Sequence, residues 1–271
     1  MLEVAKRFAR RFFLWLRFVR SFRSLTLKSQ VNLLLSALID LLMSLVVKPH
    51  NPRLLFSGLY VSSDGFTVFA RGGTEDLYYL LPGREGPVDR FIRAVLRPGD
   101  FFVDVGANVG YYTLVAAKKG CRVVAVEPVL STVAVLKLNL RLNGLEDRVK
   151  VVEGCAISRS ERRRIYVPRG RWFGLASLYA SGVGGEEFVV DCIALDDILR
   201  GVPKVRLVKV DVEGAELEVL QGMRDTLPRI CCIVIELSKG AGEVISLLKS
   251  FGFSVRPLGF TTYVVAFRAN S

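Results

Sequence analysis

From residue 101 to its end the chain alternates short apolar runs with stretches of helical period, the pattern of a mostly parallel sheet with helices on both faces. Strands are predicted over residues 101–105, 122–126, 149–153, 207–212 and 230–235. Helices are predicted over 109–119, 131–143, 216–223 and 243–251, with a short one at 195–199. A β-rich insertion at about 157–192 interrupts the alternation, and two final strands, 254–257 and 262–267, lack a helix between them and therefore pair antiparallel. Ahead of this core, 54–56, 59–62 and 66–70 read as short strands and 87–96 as a helix with Pro87 in its first turn. Residues 54–100 are expected to cap the sheet without contributing chemistry.

The first 53 residues differ. At 100° per residue Val4, Phe8, Phe12, Trp15, Leu16 and Val19 share one face, and Lys6, Arg7, Arg10, Arg11, Arg17 and Arg20 the other. Such a helix either lies in an anionic membrane surface or docks on the domain with its arginines in water; an Arg-rich targeting presequence is a third reading. Residues 31–47 form a second apolar run with a narrow polar stripe, Asn32, Ser36, Asp40 and Ser44. Seventeen helical residues span about 25 Å, slightly short for a bilayer core, and Asp40 would lie near the middle, so a packed or half-sunk helix is expected. The Lys48-Pro49-His50-Asn51-Pro52 stretch then marks a boundary between a basic helical extension, 1–53, and a main domain, 54–271.

Charge sharpens that division. Of the net +12, +7 belongs to residues 1–28, where eight basic residues face the single acid Glu3. A basic, partner-seeking end is implied more than a basic fold, with an anionic membrane surface as its partner and nucleic acid disfavoured. The five cysteines include no CxxC and lie mostly in apolar contexts, so they read as reduced core residues of an intracellular protein that is not secreted. His50 is the only histidine, which excludes His-rich zinc sites and leaves a Ser-His-Asp mechanism resting on one loop residue.

Candidate chemistry centres on DVGANVG, residues 104–110, where an apolar strand ends in an aspartate and glycines open a helix. At the carboxyl end of a parallel strand this construction admits a nucleotide-sized ligand. Glu127 ends the next strand, where a carboxylate accepts the vicinal hydroxyls of a ribose. NAD proteins use the same acid. The glycines, however, are spaced GxxxG rather than GxGxxG, and Asp104 would repel a diphosphate while suiting the ammonium and sulfonium charges of S-adenosylmethionine.

These motifs, with VVAVEP (123–128), LKLNLRLNG (136–144), LVKVDVEGAELEVLQGM (207–223) and CCIVIEL (231–237), resemble the FkbM-type family of S-adenosylmethionine-dependent methyltransferases. The resemblance covers about 87–267. It implies a class I methyltransferase, Rossmann-like doubly wound sheet of seven strands in the order 3-2-1-4-5-7-6, and methyl transfer to a hydroxyl oxygen of a small molecule, saccharide or polyketide. By the same resemblance Asp104, Gly106, Ala107, Asn108 and Gly110 line the methionine half of the cofactor and Glu127 holds its ribose. An acid after the third strand often binds adenine in related enzymes, which points to Glu153 or the backbone at Cys155 and Ala156.

Lys209, Asp211 and Glu213 alternate with valines as the fourth strand runs out, so period two places them on one side, at the cleft. Methylating a hydroxyl needs a base for its proton, which a carboxylate or a lysine of lowered pKa, Lys209, can supply; Asp211 is the first candidate, for positioning or as base, and Glu213 the second. Alternatively Lys209 and Asp211 are only an internal charge pair. Glu236, Trp172 and Ser177 are candidate substrate contacts, the last in GLASL (174–178). No spacing demands a metal ion. The insertion holds Arg159, Arg162, Arg163, Arg164, Arg169 and Arg171 beside Trp172, a set suited to a phosphorylated sugar, a lipid head group or RNA, or else a solvated hairpin. The expected activity is O-methylation of a saccharide, lipid-linked or other small-molecule acceptor at the cytoplasmic membrane face. An RNA methyltransferase and a non-catalytic membrane adaptor are the rivals; the fourth strand ends Asp-Val-Glu-Gly, unlike the Asn/Asp-Pro-Pro-aromatic ending typical of base methylation.

Overall fold

A computed structural model describes residues 2–47, 51–168, 174, 176–179, 185–238 and 240–268. His50, Arg169, Arg171 and Trp172 lie outside the described residues.

Helix α1 (Leu2–Ser21) and helix α2 (Leu27–Val46) form a hairpin joined through the short strand β1 (Phe22–Ser24). Thr26 caps α2, its hydroxyl accepting from Ser29 N at 3.0 Å. The extension is not a separate unit. Strand β1 pairs antiparallel with β2 (Gly58–Ser62), which pairs with β3 (Thr67–Ala70), and Trp15, Phe18, Phe22 and Leu33 enter the same apolar cluster as the main sheet. The face expected from periodicity is rotated: Trp15 and Phe18 are buried, Phe12 and Phe13 are exposed, and Arg11, assigned to the solvated face, is buried against Asp40. Residues 54–56 form no strand, because Asn32 and Ser36 of α2 bond their main chain instead: Phe56 N donates to Asn32 Oδ1 at 3.0 Å and Leu55 N to Ser36 Oγ at 2.9 Å. Helices α3 (Asp76–Tyr79) and α4 (Gly86–Val95) complete the approach to the core.

The core follows in the expected alternation: β4 (Phe101–Val105), α5 (Tyr111–Lys118), β5 (Arg122–Glu127), α6 (Leu130–Leu142) and β6 (Val149–Glu153). The insertion is a three-stranded sheet of β7 (Cys155–Ala156), β9 (Gly185–Ile193) and β8 (Glu161–Pro168), in that spatial order. After helix α7 (Leu195–Ile198) come β10 (Val205–Val210), α8 (Glu216–Gln221), β11 (Ile230–Glu236), α9 (Ala241–Ser250), β12 (Ser254–Pro257) and β13 (Tyr263–Phe267). The seven-stranded sheet runs β6-β5-β4-β10-β11-β13-β12, the expected order 3-2-1-4-5-7-6, with β13 antiparallel to both its neighbours. Strands β4, β10 and β11 are apolar almost throughout because helices cover both faces.

Two asparagines of the LKLNLRLNG motif tie the layers together. Asn139, fully buried on α6, accepts from Phe69 N at 2.8 Å and donates to Val109 O at 3.1 Å, while Asn143, one turn on, accepts from Thr67 N at 3.0 Å. They join the glycine loop to the edge of β3. Cysteine usage departs from expectation: Cys155 and Cys192 are joined as a disulfide between β7 and β9, whereas Cys121, Cys231 and Cys232 are buried free thiols. The parallel pairing of β7 with β9 sets Cys155 opposite Cys192, a juxtaposition that linear spacing does not reveal.

Candidate active site

The carboxyl ends of β4, β5 and β10 open on one cleft. Because β4 lies between β5 and β10, the chain leaves it at the topological switch point, where loops on either side diverge and leave room for a ligand. Gly106 turns the loop at φ +77°, and a Cβ there would lie 1.8 Å from Asp211 O, so no side chain fits between the loops after β4 and β10. Asn108 also takes a left-handed φ of +51°, with its side-chain oxygen accepting from Val109 N at 2.7 Å.

Glu127 completes this loop from the neighbouring strand. Its two carboxylate oxygens accept from Asn108 N and Val129 N, each at 3.0 Å, and it faces the cleft although only 5% exposed. Burial pushes its pKa up to about 7 despite those two backbone donors. Each oxygen keeps a lone pair for a ligand hydroxyl.

The other wall carries the charge. Lys209, 3% exposed, extends its Nζ to within 3.0 Å of Asp211 Oδ2 and 3.9 Å of Asp104 Oδ1. Burial alone would lower the Lys209 pKa, but Asp211 and Asp104 outweigh it and hold the ammonium charged. Asp211 also accepts from Tyr263 OH at 2.8 Å. Although burial pushes it upward, Lys209 and the hydrogen bonds from Glu236, Lys209 and Tyr263 hold its pKa down at about 2. Glu213 and Glu236 behave oppositely. Burial followed by the Asp211 charge raises both to about 7. Glu236 accepts from Thr262 Oγ1 at 2.6 Å. Glu213 stands in a left-handed backbone conformation, φ +51°, its carbonyl accepting from Ser177 Oγ at 2.7 Å. Oxygens of Asp211, Glu213 and Glu236 lie within 4.8 Å of one another, a spacing that would suit a divalent cation, although Lys209 already supplies one positive charge to the group.

Most residues anticipated for the site line the cleft: Gly106, Ala107, Asn108, Gly110, Glu127, Cys155, Ala156, Ser177, Lys209, Asp211, Glu213 and Glu236. Two do not. Asp104 is buried beneath the loop, where its Oδ2 accepts from Thr113 Oγ1 at 2.7 Å, so it steadies Lys209 and α5 rather than touching a ligand. Glu153 points to the surface and pairs with Lys137, leaving the backbone of Gly154, Cys155 and Ala156 to line that end.

Sequence reasoning also missed a rim. Tyr79, Arg84 and Glu85, from the segment expected only to cap the sheet, face the cleft with Tyr111 and Tyr112. Glu85 forms an ion pair with Arg84 and accepts from Tyr112 OH at 2.9 Å. The adjacent tyrosines following GANVG were the available signal; nothing local marked Arg84 and Glu85.

The four described arginines of the insertion are each ion-paired. Arg159 pairs with Glu161, Arg162 with Asp191, Arg163 with Glu161 and Glu218, and Arg164 with Glu187. They do not present the open basic surface that RNA binding requires.

Sheet order, glycine loop, the buried carboxylate that ends β5 and an acid-rich cleft are together those of a class I methyltransferase. A family model described as the methyltransferase FkbM domain matches residues 104–255, and the chain belongs to that family. A relative from Streptomyces tacrolimicus, the 31-O-demethyl-FK506 methyltransferase FkbM, is 34% identical over 197 residues, 59% of this chain and 75% of that protein. The hexuronic acid methyltransferase AglP of Haloferax volcanii is 42% identical over 53 residues, 19% of this chain and 22% of that protein. Among solved structures, magnesium protoporphyrin IX methyltransferase (ChlM) from Synechocystis PCC 6803 with bound SAM has a TM-score of 0.44 at 12% identity, covering 71% of this chain and 83% of that one.

Membership of that family makes S-adenosylmethionine the methyl donor. The residues fit it: Glu127 opens a buried carboxylate on the cleft, the backbone of the Gly106–Gly110 loop lines it, and Asp211, Glu213 and Glu236 offer negative charge to a cationic ligand.

Proposed function

We propose that the protein methylates a hydroxyl oxygen, with Glu213 as general base and Asp211 as the fixed charge that positions it. Bound S-adenosylmethionine supplies an electrophilic methyl group. The chain must then hold the acceptor hydroxyl and take its proton as the new C–O bond forms. Asp211, held near pKa 2 by Lys209 and Tyr263, is too weak a base near neutrality. Glu213 has the matching pKa of about 7, faces the cleft, and carries a backbone conformation that costs about 1 kcal/mol for a non-glycine residue. Strain retained beside reacting groups is the observation that carries this reading. The Glu236 carboxyl, already shared with Asp211 and Thr262, relays or buffers the proton.

The acceptor is proposed to be a small-molecule or saccharide hydroxyl, lipid-linked or free. Support comes from the named acceptors of two relatives, 31-O-demethyl-FK506 and a hexuronic acid. The paired arginines of the insertion weigh against RNA. Transfer of labelled methyl to fractionated small-molecule and membrane extracts tests the assignment. Glu213→Gln should lower kcat by about 10²- to 10⁴-fold with cofactor affinity retained; transfer at the wild-type rate would remove Glu213 from the base role.

A further inference from the structure

Helix α2 is inverted relative to a helix of a soluble core. Its polar stripe faces inward: Ser29, Asn32, Ser36 and Ser44 are buried, and Asp40 accepts from Trp15 Nε1 at 2.6 Å and from Arg11. Asn32 and Ser36 are committed to the main chain at Leu55 and Phe56. The opposite arc, about a third of the circumference at 100° per residue, carries Val31, Leu34, Leu35, Leu38, Leu42 and Val46, each at least 43% exposed. Phe12 and Phe13 of α1 are also exposed. A continuous apolar helix face of this kind marks an interaction site rather than ordinary scattered exposure.

We infer that this face is a lipid-docking surface, with α2 lying in the interfacial plane of an anionic bilayer and the basic residues of α1 on its head groups. Charge selects the occupant. Lys6, Arg10, Arg20, Arg23 and Lys28 are exposed around the hairpin, and residues 1–28 sum to +7. An anionic surface complements that charge, whereas a second copy apposed through the same face would set like charges together. Although α2 is long and apolar enough to cross a bilayer by length and composition, crossing would strip Asp40 from Arg11 and Trp15, and Asn32 from the main chain of Phe56. Seating in the interface keeps every one of those bonds.

The hairpin touches the segment that leads to the cleft rim. Arg17 of α1 donates from Nη2 to Pro82 O at 2.7 Å, two residues before Arg84 and Glu85 on the rim. An acceptor held in the same bilayer would therefore meet the enzyme on the side where the hairpin joins the rim.

Sedimentation of the full chain with phosphatidylglycerol/phosphatidylcholine vesicles and with phosphatidylcholine alone tests the inference. Wild-type protein should prefer the anionic vesicles, and Leu38→Asp/Leu42→Asp should weaken binding at least about tenfold while melting within a few degrees of wild type. Lys6→Glu/Arg10→Glu should lower binding to the anionic vesicles only, with the difference shrinking at high salt. A fluorophore on Leu42→Cys, whose native cysteines are buried or disulfide-bonded, should shift to the blue on mixing. Folded Leu38→Asp/Leu42→Asp protein that still binds vesicles, or a Leu42→Cys label that stays in water, overturns the inference. So does a wild-type dimer that Leu38→Asp dissociates in the absence of vesicle binding, which assigns the face to a second copy.

Discussion

Glu127→Ala separates the two tasks given to that carboxylate, holding the glycine loop and receiving the ribose. Removing the side chain leaves Asn108 N and Val129 N without their partners, and a buried donor left unpaired costs about 1–3 kcal/mol. With Asn108 partly accessible to water, a total of about 2–3 kcal/mol follows at pH 5.5, or a melting shift of about 5–10 °C for a domain of this size. The loss should depend on pH in a defined direction. Glu127 has its pKa raised by burial from 4.5 to about 7. Between those values the unfolded chain has lost the proton and the folded chain keeps it, so apoprotein stability falls as pH rises, by about 3 kcal/mol in all. The alanine variant has no such group, so its deficit should shrink toward zero by pH 8.5. Cofactor affinity should show the reverse: the ionised carboxylate is the stronger acceptor, and its loss should weaken S-adenosylmethionine binding about 10- to 100-fold, most clearly above pH 7. Calorimetry and melting at pH 5.5 and 8.5 measure both. A variant that binds the cofactor with wild-type affinity and melts at the wild-type temperature at both pH values would refute both tasks.

Gly106→Ala should be more damaging than its size suggests, because φ +77° and a 1.8 Å approach to Asp211 O force apart the loops after β4 and β10; a loss of about 3 kcal/mol or more is expected in melting experiments. Asn139→Leu should cost about 2–4 kcal/mol by stranding Phe69 N and Val109 O, with faster hydrogen exchange at the Phe69 amide as the local readout. The rate of methyl transfer should rise with pH to a plateau, with an apparent pKa near 7 for the Glu213 and Glu236 cluster. In Glu213→Gln that acid limb should change or vanish, and an unaltered profile would move the base to another residue.

How much was legible beforehand is clearest at individual residues. Glu127 and Gly106 were readable because strand, loop and spacing state their positions locally. Lys209, Asp211 and Glu213 were readable as a group, yet their ranking as bases was not. Asp211 is the weaker base of the two carboxyls because Tyr263, 52 residues later, and Lys209 both bond it. Asp104 illustrates the opposite error. An acid beside a glycine loop looks exposed to ligand, but the register that sets it opposite Lys209 buries it under that loop.

Periodicity by itself determined the alternation of strands and helices, the antiparallel ending and the location of the cofactor loop, since each depends on neighbours in the chain. Tertiary structure alone decided which carboxyls are desolvated, which rim residues reach the cleft, and that α2 turns its polar stripe inward. Those outcomes depend on desolvation and on partners far away in sequence. A stripe of serines and asparagines reads as a wet face until the main chain of residues 55–59 is brought against it.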